Sequence, residues 1–450
     1  MDFIRKFREA LKIPTVSDAG ESNLTSFQDF LCGAFPAFHK DAQRWVLSPY
    51  SVVYRLAGEE GSADGAKCGA SSGAVLLLAH YDVVPAEAEK WSVNPFSAQI
   101  KDDFVYGRGA LDMKSTLICI MEAAENLCAQ GKKPKRDIWF AFGGDEERSG
   151  LLGAQKTAQW FKERGQRFDW ALDEGSPVAV NQFEGVNVPL ALVSVEEKGN
   201  LSLNLTVKQE PGHASRPPKI QAAEILGRAL CRIAKKPFPY TLSAAAEKFF
   251  ASIAPFLPGV KGFVMRHARF FSVIFRRLFF KTAGANPQME AMLKTTVAMT
   301  MLEGSAADNV MPSQVRAVIN MRLLRPWTTE KAAEFIKKAV RDNRVQISEY
   351  EPGSNPVSAG LSHNELPHSG WAEIAEAVNG VWPGIPLLPF VMVAITDSRY
   401  YRELTNYIYR FSPLKLDSGE LNRIHGHDER ISLENLRNEL EFYSRLLRLT

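Results

Sequence analysis

The stretch Val75 to Pro85, VLLLAHYDVVP, constrains the fold more than any other part of the chain. Five apolar residues in a row, Val75 to Ala79, make a short buried strand of the kind found in a parallel sheet. Pro85 stops that strand from continuing. His80 and Asp82 come directly after the apolar run, two residues apart, so on extended chain they point the same way. Ligands of open α/β sheets gather at the carboxyl ends of the strands. A histidine at that edge, with an aspartate to orient its ring, is placed to hold a metal ion. Taken alone, the pair is better accounted for by a structural histidine with its hydrogen bonds satisfied.

The pattern recurs along the chain. Ile138 to Phe142 (IWFAF) reads as a second buried strand and runs into Gly143-Gly144-Asp145-Glu146-Glu147. Trp170 to Leu172 reads as a third and runs into Asp173-Glu174-Gly175. Between the first two, Asp112 stands at the head of an apolar helix predicted from Ser115 to about Ala129. A carboxylate at a helix start gains from the N-terminal dipole, so a plain capping role also explains it. Solvated surface charge has no reason to select strand ends repeatedly, and the repetition points to a metal-assisted active site at that sheet edge.

At 450 residues the chain exceeds one ordinary core, so two domains are expected. From about Gly199 the pattern changes to alternating strands (Leu201 to Val207, LSLNLTV), and it changes back near Arg325-Pro326. The expected organisation is a catalytic domain formed by residues 1–198 and 326–450, interrupted by a smaller domain over 199–325. That insert carries His213 in a turn-rich loop, and Asp308 to Pro312 ahead of a strand ending at Arg322. A loop histidine is most often only surface. Phe249 to Lys281 interleaves aromatic and aliphatic residues with Arg266, Arg269, Arg276, Arg277 and Lys281. A basic amphipathic helix lying on a membrane would look like this. A helical elaboration packed on the insert, on a subunit partner or over the site is the favoured reading.

A net charge of +3 offers no case for a nucleic-acid partner. The five cysteines are scattered and lack any CxxC pair, which suits a reducing compartment, and a cytoplasmic location is expected. Met1 to Ser17 reads as an amphipathic helix rather than a signal peptide, with helices predicted at 2–13 and 23–34, the latter capped by Ser22 or Asn23. No uncharged apolar stretch reaches the length of a membrane span. His39, His267, His363 and His368 lack the company a site needs and are left out of it.

Seven segments, HYDVVP, GRGALDMK, GDEE, LDEG, PGHAS, TDSR and IHGHDE, occur in this order between residues 80 and 429. Together they resemble the motifs of the aminoacylase/carboxypeptidase family of two-zinc peptidases. Its members include aminoacylase, carboxypeptidase S, glutamate carboxypeptidase and succinyl-diaminopimelate desuccinylase. LDEG and IHGHDE look closest to the aminoacylase and carboxypeptidase S branch. The resemblance implies an α/β zinc-peptidase catalytic domain with a mixed, mainly parallel sheet, and an inserted α+β lid that also forms a dimer.

Carried over residue by residue, the resemblance implies that His80 binds one zinc, Asp112 bridges both, and Glu147 and His425 bind the second. His427 is then a near neighbour. Asp173 and Glu174 are both candidates for the remaining ligand, and being adjacent they point to opposite sides of an extended chain. Asp82 would orient His80, Glu146 would be the general base, and the Asp112-Met113 peptide is expected to be cis. His213 would reach the site of the partner subunit as oxyanion donor, and Asn309, Arg322 and Arg399 match substrate or carboxylate clamps. The implied activity is cleavage of short peptides or N-acyl amino acids with a free C-terminal carboxylate, with two Zn2+ per subunit (Co2+ or Mn2+ also fitting). A dipeptidase, desuccinylase or deacetylase on the same fold is the alternative reaction. A non-catalytic binding homologue is a third reading, and the presence of every ligand type and of the base argues against it.

Overall fold

The apolar runs form strands in the computed structural model, which describes residues 2–17, 19–59, 73–284, 287–350 and 368–450. The strand Val75–His80 is buried along its whole length. It lies inside an eight-stranded mixed sheet, parallel to Ile138–Gly143 on one side and to Trp170–Ala179 on the other. Ser51–Leu56, antiparallel to Ile138–Gly143, and Gln43–Ser48, antiparallel to Ser51–Leu56, complete the sheet on the first side. Ile408–Leu416, Leu190–Glu197 and Leu387–Met392 complete the other. Strands buried on both faces need a layer on each face. One layer contains the helix Lys114–Ala129, which is buried nearly all round and packs against Leu433–Leu449 and Phe3–Lys12. The opposite face carries Ala154–Glu163.

The second predicted helix starts at Glu21 behind Gly20, so Ser22 and Asn23 fall in its first turn and not at its cap. Asn23 Nδ2 instead donates to the Pro14 carbonyl at 3.0 Å. His363 lies outside the described residues.

The smaller unit is a four-stranded antiparallel sheet in the order Thr296–Glu303, Gln314–Leu323, Gly199–Lys208, Gln346–Glu349. Leu201, Leu203, Leu205 and Val207 share one face by the two-residue period and bury it. The helices Ala222–Lys235 and Thr329–Val340 belong to that core. The boundary expected at 325 is therefore corrected: residues 329–349 join the small sheet, because an amphipathic helix does not reveal which sheet it will cover.

The insert is not continuous either. Helices between Ala244 and Leu293 bury Phe249, Phe250, Ile253, Phe279 and Phe280 in the main core. Phe249 packs edge-on to Phe390 of the large sheet with ring centroids 5.2 Å apart. The helical elaboration thus sits on the catalytic domain and not on the insert.

Glu439, on the last helix, is fully buried and accepts a 2.6 Å hydrogen bond from Thr116 Oγ1. Burial pushes its carboxyl up to about 7. An acid raised in this way keeps its proton in the fold at pH values where the unfolded chain has released it. The contribution of Glu439 to stability is then greatest below about pH 4, falls as pH rises to about 7, and levels off above. Glu439→Gln has no charge to bury and is expected to gain about 1–3 kcal/mol on the native chain between pH 5 and 8. Denaturant unfolding across that range checks this, and a pH-independent difference would contradict it.

Candidate active site

His80 ends its strand and is 1% exposed. Its Nδ1 lies 3.0 Å from the Asp82 carbonyl, which can only accept, so Nδ1 carries a proton and Nε2 faces the pocket. The Asp82 side chain is 3.4 Å from the same nitrogen. Asp82 does more than orient the ring. Its carboxylate accepts the N–H of Glu146 at 3.0 Å, the N–H of Glu147 at 3.2 Å and the Ser17 hydroxyl at 2.9 Å. One residue after the first strand thereby holds the acidic loop after the second.

Asp112 lies on the N-terminal side of a cis peptide to Met113, as the resemblance implied. Met113 occupies the cap of the following helix, so the capping role considered for Asp112 is set aside. Its two carboxylate oxygens face different imidazoles: Oδ1 is 3.0 Å from His80 Nε2 and Oδ2 is 3.1 Å from His425 Nε2. His425 Nε2 is also 3.1 Å from Glu147 Oε1. A left-handed backbone at His425 (φ 61°) is part of the turn that presents this ring. His427 is exposed and joins none of these contacts.

Asp173 and Glu174 part company at a bulge. The third strand runs on to Ala179, and Asp173 and Ser176 pair with consecutive residues Arg410 and Phe411, leaving Glu174-Gly175 unpaired between them. A bulge re-aims a side chain. Glu174 Oε1 comes within 3.7 Å of His80 Nε2. Asp173 instead accepts the N–H of Ser398 at 2.8 Å and of Glu174 at 2.9 Å, which fixes the 396–399 loop.

The three consecutive acids have three different surroundings. Asp145 accepts the N–H groups of Leu152 and Gly153 at 2.7 and 2.8 Å and anchors the approach to the next helix. Glu147 faces His425. Glu146 lies between, in a group with His80 and Glu174 whose ligand atoms are all within 4.8 Å of one another. His80, Asp112 and Glu147 form a second such group.

Burial, reinforced by Glu174, drives the Glu146 carboxyl well above the usual range, and burial with Asp112 does the same to Glu174. Burial opposes charge on His80, but Glu174, Asp112 and Asp82 outweigh it and hold the imidazolium. Asp112 and Glu147 raise His425 to about 10. This many carboxylates crowded around two imidazoles is costly unless cations share the space. Imidazole nitrogens and carboxylate oxygens so close together fit divalent metal ions, with His80, Asp112 and Glu174 for one and Asp112, Glu147 and His425 for another.

Two residues not singled out from the sequence hold this arrangement together. Arg108 Nη1 pairs with Glu429 at 2.6 Å, both buried, and Nη2 donates to the Gly426 carbonyl at 3.0 Å. Glu429 accepts the N–H of Leu111 at 2.7 Å and of Asp112 at 3.2 Å. The pair locks the Asp112 loop to the His425 loop across the chain. Both lie in the quoted motifs, GRGALDMK and IHGHDE, but a contact across more than 300 residues has no local signal. Glu429→Gln places an amide NH2 against N–H donors and is expected to weaken metal affinity about 10–100-fold. Competition against a chelator measures this, and unchanged affinity would contradict it.

Of the expected clamps, Arg399 is 4.0 Å from Glu146, but its guanidinium donates to the Thr396 and Ser149 carbonyls at 2.8 and 2.7 Å. It positions the loop rather than presenting a free fork. The half-buried Arg322 side chain makes no hydrogen bond or ion pair among the described residues. His213 and Asn309 lie together on the lid, where Gly212–His213 pairs with Val310–Met311 and Ala214 N donates to the Asn309 carbonyl at 3.0 Å. Both are exposed and neither touches the metal-type cluster. Of the histidines left out, His39 bonds the Phe35 carbonyl and His368 caps the helix Ser369–Val381.

A mainly parallel sheet with this cluster at its strand ends, joined to a small antiparallel lid, defines an α/β metallohydrolase. The sequence matches the family described as peptidase family M20/M25/M40 over residues 76–449, and the chain belongs to that family. It is 33% identical over 451 residues to the N-fatty-acyl-amino acid synthase/hydrolase PM20D1 of Xenopus tropicalis, covering 99% of this chain and 85% of that protein. It is 32% identical to the probable carboxypeptidase S-like 2 of Dictyostelium discoideum, covering 96% of this chain and 80% of that protein. The M20 family metallo-carboxypeptidase Sso-CP2 from Sulfolobus solfataricus superposes with a TM-score of 0.73 at 16% identity, covering 100% of this chain and 99% of that one, a likeness of fold.

Proposed function

We propose that this enzyme hydrolyses the amide bond of N-acyl amino acids, or of short peptides, beside a C-terminal residue with a free carboxylate, at a centre of two divalent ions. The carrying observation is Asp112, whose two oxygens face two separate imidazole and carboxylate sets. Zinc suits that donor mixture, and Co2+ or Mn2+ would fit the same residues. Bound there, the ions supply Lewis acidity that polarises the amide carbonyl and makes a water nucleophilic near neutral pH. Glu146 takes the proton from that water and hands it to the leaving amine. Arg322, with no partner of its own among the described residues, offers its fork to the substrate carboxylate.

His213 completes the site from a second copy of the chain. Ser215 N donates to His213 Nδ1 at 3.1 Å, so the ring proton sits on Nε2, ready to donate to a tetrahedral oxyanion. The lid strand Thr296–Glu303 is a sheet edge with exposed side chains, which supports a homodimer formed through the lid. Relatives named for N-fatty-acyl-amino acid hydrolysis and for carboxypeptidase S support the substrate class.

A panel of N-acyl amino acids, their C-terminal amides and unblocked Gly-X dipeptides tests this reading. The free acids are expected to exceed the amides at least 100-fold in kcat/KM. Equal rates would overturn the carboxylate requirement, and a preference for unblocked dipeptides would move the enzyme to the dipeptidase class.

A further inference from the structure

The helices Gly259–Arg266, Ala268–Ile274 and Arg276–Ala283 bury one side on the catalytic domain and leave the other side apolar and open. Val260, Phe270, Val273, Ile274 and Leu278 are between 57% and 79% exposed. Isolated exposed apolar residues need no explanation, but a contiguous group does. Among them lies an apolar groove of about 490 Å³ whose walls include Val264, Phe271, Phe275 and Phe279.

The charge carried by this segment itself is of one sign. From Lys248 to Met289 the chain contains seven lysines and arginines and no acid. Two of them are engaged by acids from elsewhere, Arg269 with Glu247 at 3.1 Å and Lys261 with Glu184 at 3.8 Å. Arg266, Arg277 and Lys281 are exposed and make no ion pair among the described residues.

We propose that this face docks the enzyme on an anionic lipid bilayer. Such a surface offers a broad negative potential to Arg266, Arg277 and Lys281, and directly beneath it an apolar phase for the side chains between them. The docking is peripheral, since no described helix is long and apolar enough to cross a membrane. The sequence alone favours a packed elaboration here. The fold accounts for only half of it, because the buried phenylalanines satisfy one side and the exposed apolar residues remain outside. The inference rests on this surface and does not depend on the substrate assigned above.

The test is co-sedimentation of the full chain with vesicles of phosphatidylcholine alone, or of phosphatidylcholine with phosphatidylglycerol. Binding is expected to the anionic vesicles, at least ten-fold weaker to the neutral ones, and weakened by salt. Val273→Glu with Leu278→Glu is expected to reduce binding at least ten-fold without changing turnover of a soluble short-chain substrate. Arg266→Gln with Arg277→Gln should have the same effect while leaving the apolar residues intact. No binding to either vesicle, or binding indifferent to both double variants, would overturn the proposal. So would conversion of a dimer to a monomer by Val273→Glu with Leu278→Glu, measured by light scattering, because a second copy would then be what covers the face.

Discussion

Glu146→Gln is expected to retain its full complement of metal and to turn over about 10²–10⁴-fold more slowly, the range contributed by a positioned general base. Glu146 is held by its backbone, through the N–H that Asp82 accepts at 3.0 Å, so the amide should occupy the same place. Burial raises its carboxyl, which makes it a stronger proton acceptor than an exposed glutamate. Its oxygens also belong to the group containing His80 and Glu174, so a ligand role is the competing explanation. The two roles separate cleanly. A base variant keeps the metal and loses rate, whereas a ligand variant loses metal in proportion to rate.

Asp112→Ala is expected to do the opposite: to lose both ions together, and activity with them, by at least ~10⁴-fold. Asp112 reaches both halves of the cluster, with Oδ1 3.0 Å from His80 and Oδ2 3.1 Å from His425. Glu174→Ala, by comparison, should weaken only the ion shared with His80. Metal analysis after dialysis distinguishes the two variants. Retention of one tightly held ion in Asp112→Ala would show that the two sites are independent and that Asp112 does not join them.

The residues at strand ends were legible because a parallel sheet forces its chemistry to one edge. His80, Asp112 and the acids at 145–147 all stand just beyond an apolar run or at the head of one, where the sheet edge lies. The choice between Asp173 and Glu174 was not legible. It depends on a bulge created by the register of Ile408–Leu416, a strand more than 200 residues away. Arg108 and Glu429 escaped for the same reason: their importance lies in a contact that joins two distant loops.

Domain boundaries failed differently. The helix Thr329–Val340 has an apolar face whichever sheet it covers, and only the tertiary structure assigns it to the lid. In the segment Phe249 to Lys281, hydrophobicity alone could not separate Phe249, which packs on Phe390, from Val273, which faces outward.

Two metal ions joined by Asp112 are proposed to make one catalytic unit. The most direct measurement is activity of the chelated protein during stepwise return of zinc, with bound metal counted at each step by elemental analysis. Turnover is expected to be lost on chelation and to recover fully at two ions per chain. Full activity with no metal, or at a single ion with no gain from a second, would contradict it.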